Sequence, residues 1–258
     1  MAPLMTISAP GIYPITSDMT QMSPTDDCIV IAPGVHYVTI LLYSRLVGGG
    51  GPGSSNAAIS FNGNACVNVI GMGGSIRGFQ YGVRGTNANL AKVRNVVAQD
   101  AYFRGISISG EGTVIEDNDI RNITGCTFFA NAYCMGIEAQ GVLTANSDIS
   151  ILRNTVRNVE GMGTGESVGI SLSGKGNGAL IKGNAVLNPE LREGSFGYWI
   201  GGESDPAFVH NHADTFGYGA CFSSPPTGHV DENSFRNCTV NIQDSGGDVV
   251  IGPSDTAD

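Results

Sequence analysis

The sequence predicts an all-β solenoid, on three observations. A short motif opens on glycine, a second motif is built around asparagine, and the two alternate without exception from Gly82 onward. A recurring unit of about 20 to 50 residues marks an architecture in which each unit buries its apolar side only against the next.

The glycine motif reads Gly105-Ile106-Ser107-Ile108-Ser109, Gly136-Ile137-Glu138-Ala139 and Gly169-Ile170-Ser171-Leu172-Ser173, with relatives opening at Gly82, Gly197 and Gly219. Each is one short strand whose alternate side chains enter a core. The asparagine motif sets an Asn between branched apolar residues, as in Ile151-Leu152-Arg153-Asn154-Thr155-Val156-Arg157-Asn158. Its central residues, Asn95, Asn118, Asn154, Asn184, Asn211 and Asn233, lie 23, 36, 30, 27 and 22 positions apart. A fixed minimum with variable additions is the signature of a coil that carries loops. We therefore expect one domain over 1–258: a right-handed parallel β-helix of about nine coils, with 1–35 as entry coil or cap and 241–258 as the last coil and tail.

An amide repeated at one place in every coil can donate to one turn and accept from the next. The six central asparagines are expected to form such a ladder, and Asn122, Asn158, Asn188 and Asn237 a partial second one. Burial in that second ladder would keep the sequons at Asn122 and Asn237 from glycosylation. Leucine-rich repeats, propellers and left-handed hexapeptide helices each require a periodicity that is absent.

Composition agrees. Gly accounts for 38 of 258 residues and charged residues for 14%, so the chain turns often and has few solvated helix faces. No apolar run is long enough to span a membrane, and no signal peptide is expected from Met1 to Gly11, which leaves the compartment unknown. A net charge of −10 argues against nucleic acid and anionic membranes as partners. No metal and no cofactor are expected, because neither zinc nor calcium ligand spacing occurs. The six cysteines do not define a disulfide scaffold; Cys126 and Cys134 bracket one loop, where a clip is an alternative to free thiols.

The repeats Gly-Ile and Val-x-x-Asn-x-Val-x-Asn, with the opening Cys28-Ile29-Val30-Ile31-Ala32-Pro33-Gly34-Val35 and the stretch Ser75 to Val83, resemble those of the pectin-lyase-like superfamily of right-handed β-helix proteins. The resemblance covers nearly the whole chain and implies a carbohydrate polymer lying along the coils. Trimers along the helix axis are common in that superfamily, and the sparse charge around Phe196 to Ile200 allows a homo-oligomer. The superfamily's catalytic motifs are missing: Asp205-Pro206-Ala207, for instance, has no histidine where alginate epimerases carry one. No catalytic role is therefore transferred.

Candidate site residues come from tabulating outward positions. On the glycine-motif sheet the row is Arg84, Ser107, Glu138, Ser171, Trp199, Cys221. Trp199, the only tryptophan, is a candidate platform for stacking a sugar. Arg84, Glu138, Tyr133, Asp117 and Asp119 complete the expected binding set. On the other face His210, His212 and Asp214 form the expected catalytic group, since a His beside a carboxylate serves as a general base near neutral pH. Arg153 and Arg157 are the cations that a β-eliminating lyase would use against a uronate. Loops Gly125 to Met135, Gly161 to Ser167 and Pro189 to Ser195 are expected to cluster as cleft walls. These features suggest a lyase, hydrolase or transferase acting on an oligo- or polysaccharide. The alternatives are a glycan-binding, protein-binding or structural module, and an isomerase or cyclase acting on a small molecule.

Overall fold

The computed structural model describes residues 2–142, 148–174, 176–202, 204–223, 228–245, 249–252 and 256–257. Every regular element among them is a β-strand. The strands assemble into three ten-stranded sheets, each taking every third strand in chain order. All pairings are parallel, as in Arg104–Ser109 against Cys134–Gln140. This is a right-handed parallel β-helix, the hand that parallel crossovers take.

Ten strands per sheet among the described residues give ten coils, against about nine expected. Met5–Ile7 already pairs with Ile29–Ile31, so the entry region contributes strands to the stack. No helix among the described residues is long and apolar enough to cross a membrane.

The core is built from columns of like residues. Ile29, Ile59, Val83, Ile106, Ile137, Ile170, Tyr198 and Ala220 occupy successive rungs of the first sheet and all are buried. Burying each large aliphatic contributes about 1.5–3 kcal/mol against the entropy of ordering the chain. Tyr198 enters this column because its hydroxyl donates to the carbonyls of Asn184 and His212 at 2.9 and 3.0 Å. The motif glycines follow from packing across the coil. A Cβ at Gly136 would lie 2.3 Å from Val156 Cγ1, and one at Gly169 would lie 2.0 Å from Val186 Cγ1.

Between the second and third sheets, Asn118, Asn154, Asn184, Asn211 and Asn233 form a buried column. The amide nitrogens of the first four each donate to the next residue's Oδ1 at 2.9–3.1 Å. Each also donates to a carbonyl of the preceding coil, as Asn154 does to Ile115. Asn95 is not in this column. It is exposed and left-handed at φ 54°, and Val96 takes the inward place, its N–H bonded to Asn118 Oδ1. Asn95 instead aligns with Asp117, Arg153, Gly183, His210 and Glu232, which share its positive φ. Asn suits both the ladder and the left-handed turn, so a column counted from Asn95 is out of register by one residue.

The second asparagine set also differs from expectation. Asn122, inside the strand Asp119–Ile123, and Asn237 are exposed residues of positive φ that bond to Asp100 and Asp214, so burial does not shield either sequon. Asn158 bonds to Asn122 in the same outer row. Only Asn188 points inward, accepting from the Val159 N–H.

Candidate functional site

Within each coil the chain runs from first to second to third sheet. All three long loops leave a third-sheet strand and enter a first-sheet strand: 124–133 before Cys134–Gln140, 160–166 before Ser167–Ser173, and 188–195 before Phe196–Gly201. Adjacent coils therefore stack them into one wall along the edge of the first sheet.

The first sheet's outward row runs in register from Arg84 through Ser107, Glu138, Ser171 and Trp199 to Cys221. A second outward row lies beside it: Tyr81, Arg104, Met135, Val168, Phe196 and Tyr218. Phe196 stacks on Tyr218 with centroids 5.0 Å apart and planes inclined by 14°. Arg104 is 6% exposed. Its Nε lies 3.3 Å from Glu138 Oε2, its Nη1 donates to the carbonyls of Phe103 and Tyr133, and its guanidinium sits 3.7 Å above the Phe103 ring. Ser107 Oγ donates to the same Glu138 oxygen at 2.7 Å. Tyr81 lies edge-on to Phe103, under the Arg84 guanidinium. Burial pushes its phenol up, while Arg104 and Arg84 pull it down.

Phe103, Arg104, Phe129, Tyr133, Met135 and Trp199 line a cavity of about 420 Å³. Its wall is the first loop, whose Phe129 packs on Phe103 at 5.3 Å and on Phe128 at 4.9 Å. A second cavity of about 370 Å³ opens between the other two loops, among Thr164, Glu166, Ser167, Arg192, Glu193 and Ser195. There the buried Ser167 Oγ has no hydrogen-bond partner, and burial raises the Glu166 carboxyl above the ordinary glutamate range. A third cavity, about 290 Å³, lies towards the N-terminal coils beside Arg84, Asp27, Ser60 and Asn62.

Arg84, Glu138, Tyr133 and Trp199 are thus placed on one side of the solenoid. The remaining candidates lie elsewhere. Asp117, Arg153 and His210 occupy left-handed turns between the second and third sheets. Arg153 binds Asp117 at 2.8 Å and Glu116 at 3.2 Å, and holds the Asp117 carboxyl below its usual range. His210 Nδ1 pairs with Glu232 at 2.9 Å. Asp119, His212, Arg157 and Asp214 lie on third-sheet strands in the expected rows. Asp119 pairs with Arg121. Asp214 Oδ1 accepts from Thr215 Oγ1 and Asn237 Nδ2, each at 2.9 Å. His210 Nδ1 thus faces Glu232 of the next coil from a left-handed turn, whereas His212 and Asp214 stand two residues apart on one third-sheet strand.

Arg104, Tyr81 and Phe103 were absent from the expected set. The position before each motif glycine reads Tyr81, Arg104, Met135, Val168, Phe196, Tyr218. That run of large residues was the available signal. All six cysteines are free; burial pushes the Cys134 thiol up to about 12. Among the described residues no cluster of three or more His, Cys, Asp or Glu is arranged to hold a metal.

Fold and face together define a β-helix with a walled groove along one sheet. No family model matches the sequence, and no curated protein matches it. Solved structures similar to it include the catalytic domain of a GH87 α-1,3-glucanase, at TM-score 0.41 and 13% identity over 94% of this chain and 62% of that one. The alginate lyase from Paenibacillus sp. str. FPU-7 has TM-score 0.39 and 14% identity over 95% and 99% of the two chains. The A-module of the Azotobacter vinelandii mannuronan C-5 epimerase AlgE4 has TM-score 0.33 and 13% identity over 96% and 91%. This chain spans 62% of the glucanase domain's length. The fold rests on the three sheets themselves, and the functional reading on the groups of the groove.

Proposed function

We propose that this protein is a carbohydrate-active β-helix enzyme whose site is the outward face of the first sheet beneath its three loops. One observation carries the reading: Trp199, Phe129, Phe103 and Tyr133 share a single cavity with the buried Arg104, which is bonded to Glu138. Aromatic faces receive the apolar faces of sugar rings, and a few fixed polar groups set orientation.

Glycoside hydrolysis uses two carboxyl groups, one as proton donor and one as base or nucleophile. Glu138, fixed by Ser107 and Arg104, is the candidate catalytic carboxylate on the sheet. Glu166, whose carboxyl burial raises above the ordinary glutamate range, stands in the second cavity between the loops. A second reading, a non-catalytic glycan-binding module, is favoured by the exposure of Phe128, Phe129 and Tyr133 at the rim.

Glycan-array binding together with a reducing-end assay over a polysaccharide panel separates the two readings. The enzyme reading expects product formation that is abolished in Glu138→Gln and weakened in Trp199→Ala. Binding lost in Trp199→Ala without turnover would establish the module, and neither binding nor turnover would remove carbohydrate from this face.

A further inference from the structure

Every described cation on the groove side is already matched to a carboxylate of its own chain. Arg84 Nη2 lies 3.2 Å from Asp27 Oδ2, Arg104 Nε 3.3 Å from Glu138 Oε2, and Arg192 Nη2 2.6 Å from Glu160 Oε1. Arg104 is in addition buried and committed to two carbonyls. The chain's four histidines, His36, His210, His212 and His229, and its described lysines, Lys92 and Lys182, all lie off the first sheet's strands.

The acids of the same wall exceed the cations. Glu190, Glu193 and Glu166 line the two cavities between the loops. The ligand-seeking groups there are hydroxyls and carboxylates: the unpartnered Ser167 Oγ, Thr164, Glu166 and Glu193. Such groups receive sugar hydroxyls well and repel a second carboxylate, and the net charge of −10 opposes the approach of a polyanion at long range.

We infer that the saccharide bound in this groove is neutral and carries no uronic acid. The inference rests on the carbohydrate reading above and narrows it. β-Elimination and C5 epimerisation act beside a uronate carboxylate and call for a free cation to meet it, whereas hydrolysis of a neutral glycoside does not.

Calorimetric titration with neutral gluco-, manno- and xylo-oligosaccharides, against oligogalacturonate and oligomannuronate of equal length, tests this. Neutral ligands should bind at least about tenfold more tightly, with little dependence on salt. Two substitutions free a guanidinium each. Asp27→Asn keeps the oxygen that accepts from the Ala57 N–H, and Glu160→Gln lies on the surface. Each should strengthen oligouronate binding about fivefold at low salt and leave neutral binding nearly unchanged. Tighter uronate binding by the wild type would overturn the inference while leaving a carbohydrate protein in place; binding of no saccharide would overturn both.

Discussion

The two corners flanking the third sheet obey opposite rules. Where the second sheet turns into the third, five successive coils repeat one solution, a left-handed residue followed by an inward asparagine from Asn118 to Asn233, with a spacing that hardly matters because the extra residues are placed elsewhere. Where the third sheet turns into the first, the connections range from three residues at 215–217 to ten at 124–133, and the additions stand over a sheet face carrying aromatic, acidic and arginine side chains. In a solenoid the repeated corner holds the fold, and the unrepeated corner is free to carry the groove proposed as the binding site.

Substitutions at the two corners sharpen the contrast. The largest effect on stability is expected from Asn184→Leu. It strands the Ile151 carbonyl and the Asn154 N–H and breaks the column in both directions, costing about 3–5 kcal/mol in a denaturant titration while leaving the groove's groups intact. Gly169→Ala should cost about 1–3 kcal/mol by the same measurement, because the added carbon meets Val186. At the other corner, Trp199→Ala should lower saccharide affinity by about tenfold, with a smaller loss of stability than either.

Glu166→Gln reverses the sign. The folded carboxyl titrates above its ordinary value, so its contribution to stability is complete below the unfolded glutamate range and is lost as pH rises through the folded value. Removing the ionisable group should therefore raise the melting temperature at pH 7, and the difference from wild type should shrink as the pH falls through the folded value and be gone below about 4. His212→Ala, on the third sheet, should change saccharide binding least of all. An equal or greater loss there than in Trp199→Ala would dissolve the contrast between the corners.

Architecture was legible because its signals are periodic. Glycine is forced where Val156 or Val186 crosses the coil, and asparagine where a turn leaves backbone groups unpaired, so both recur at readable positions. The outward row from Arg84 to Cys221 followed from alternation alone. Asn95 was misread because one residue type satisfies two adjacent roles. The site was less legible for a different reason. His210, His212 and Asp214 are close in sequence, but His210 lies in a left-handed turn and pairs with Glu232, while His212 and Asp214 share a third-sheet strand, a difference in backbone that sequence spacing does not show. Arg104 stands just before a glycine, outside the strand pattern counted from it, and its pairing with Glu138 spans 34 residues. Glu166 acquires its environment only when two loops of neighbouring coils meet.

The central claim is that ligand lies over the first sheet, and the chain's single tryptophan reports on it directly. Fluorescence of Trp199 should change saturably as a bound oligosaccharide is titrated in, with protection from acrylamide quenching at the same midpoint as calorimetric binding. Saturation seen by calorimetry while Trp199 emission and quenching stay unchanged would place the ligand on another face and contradict the account.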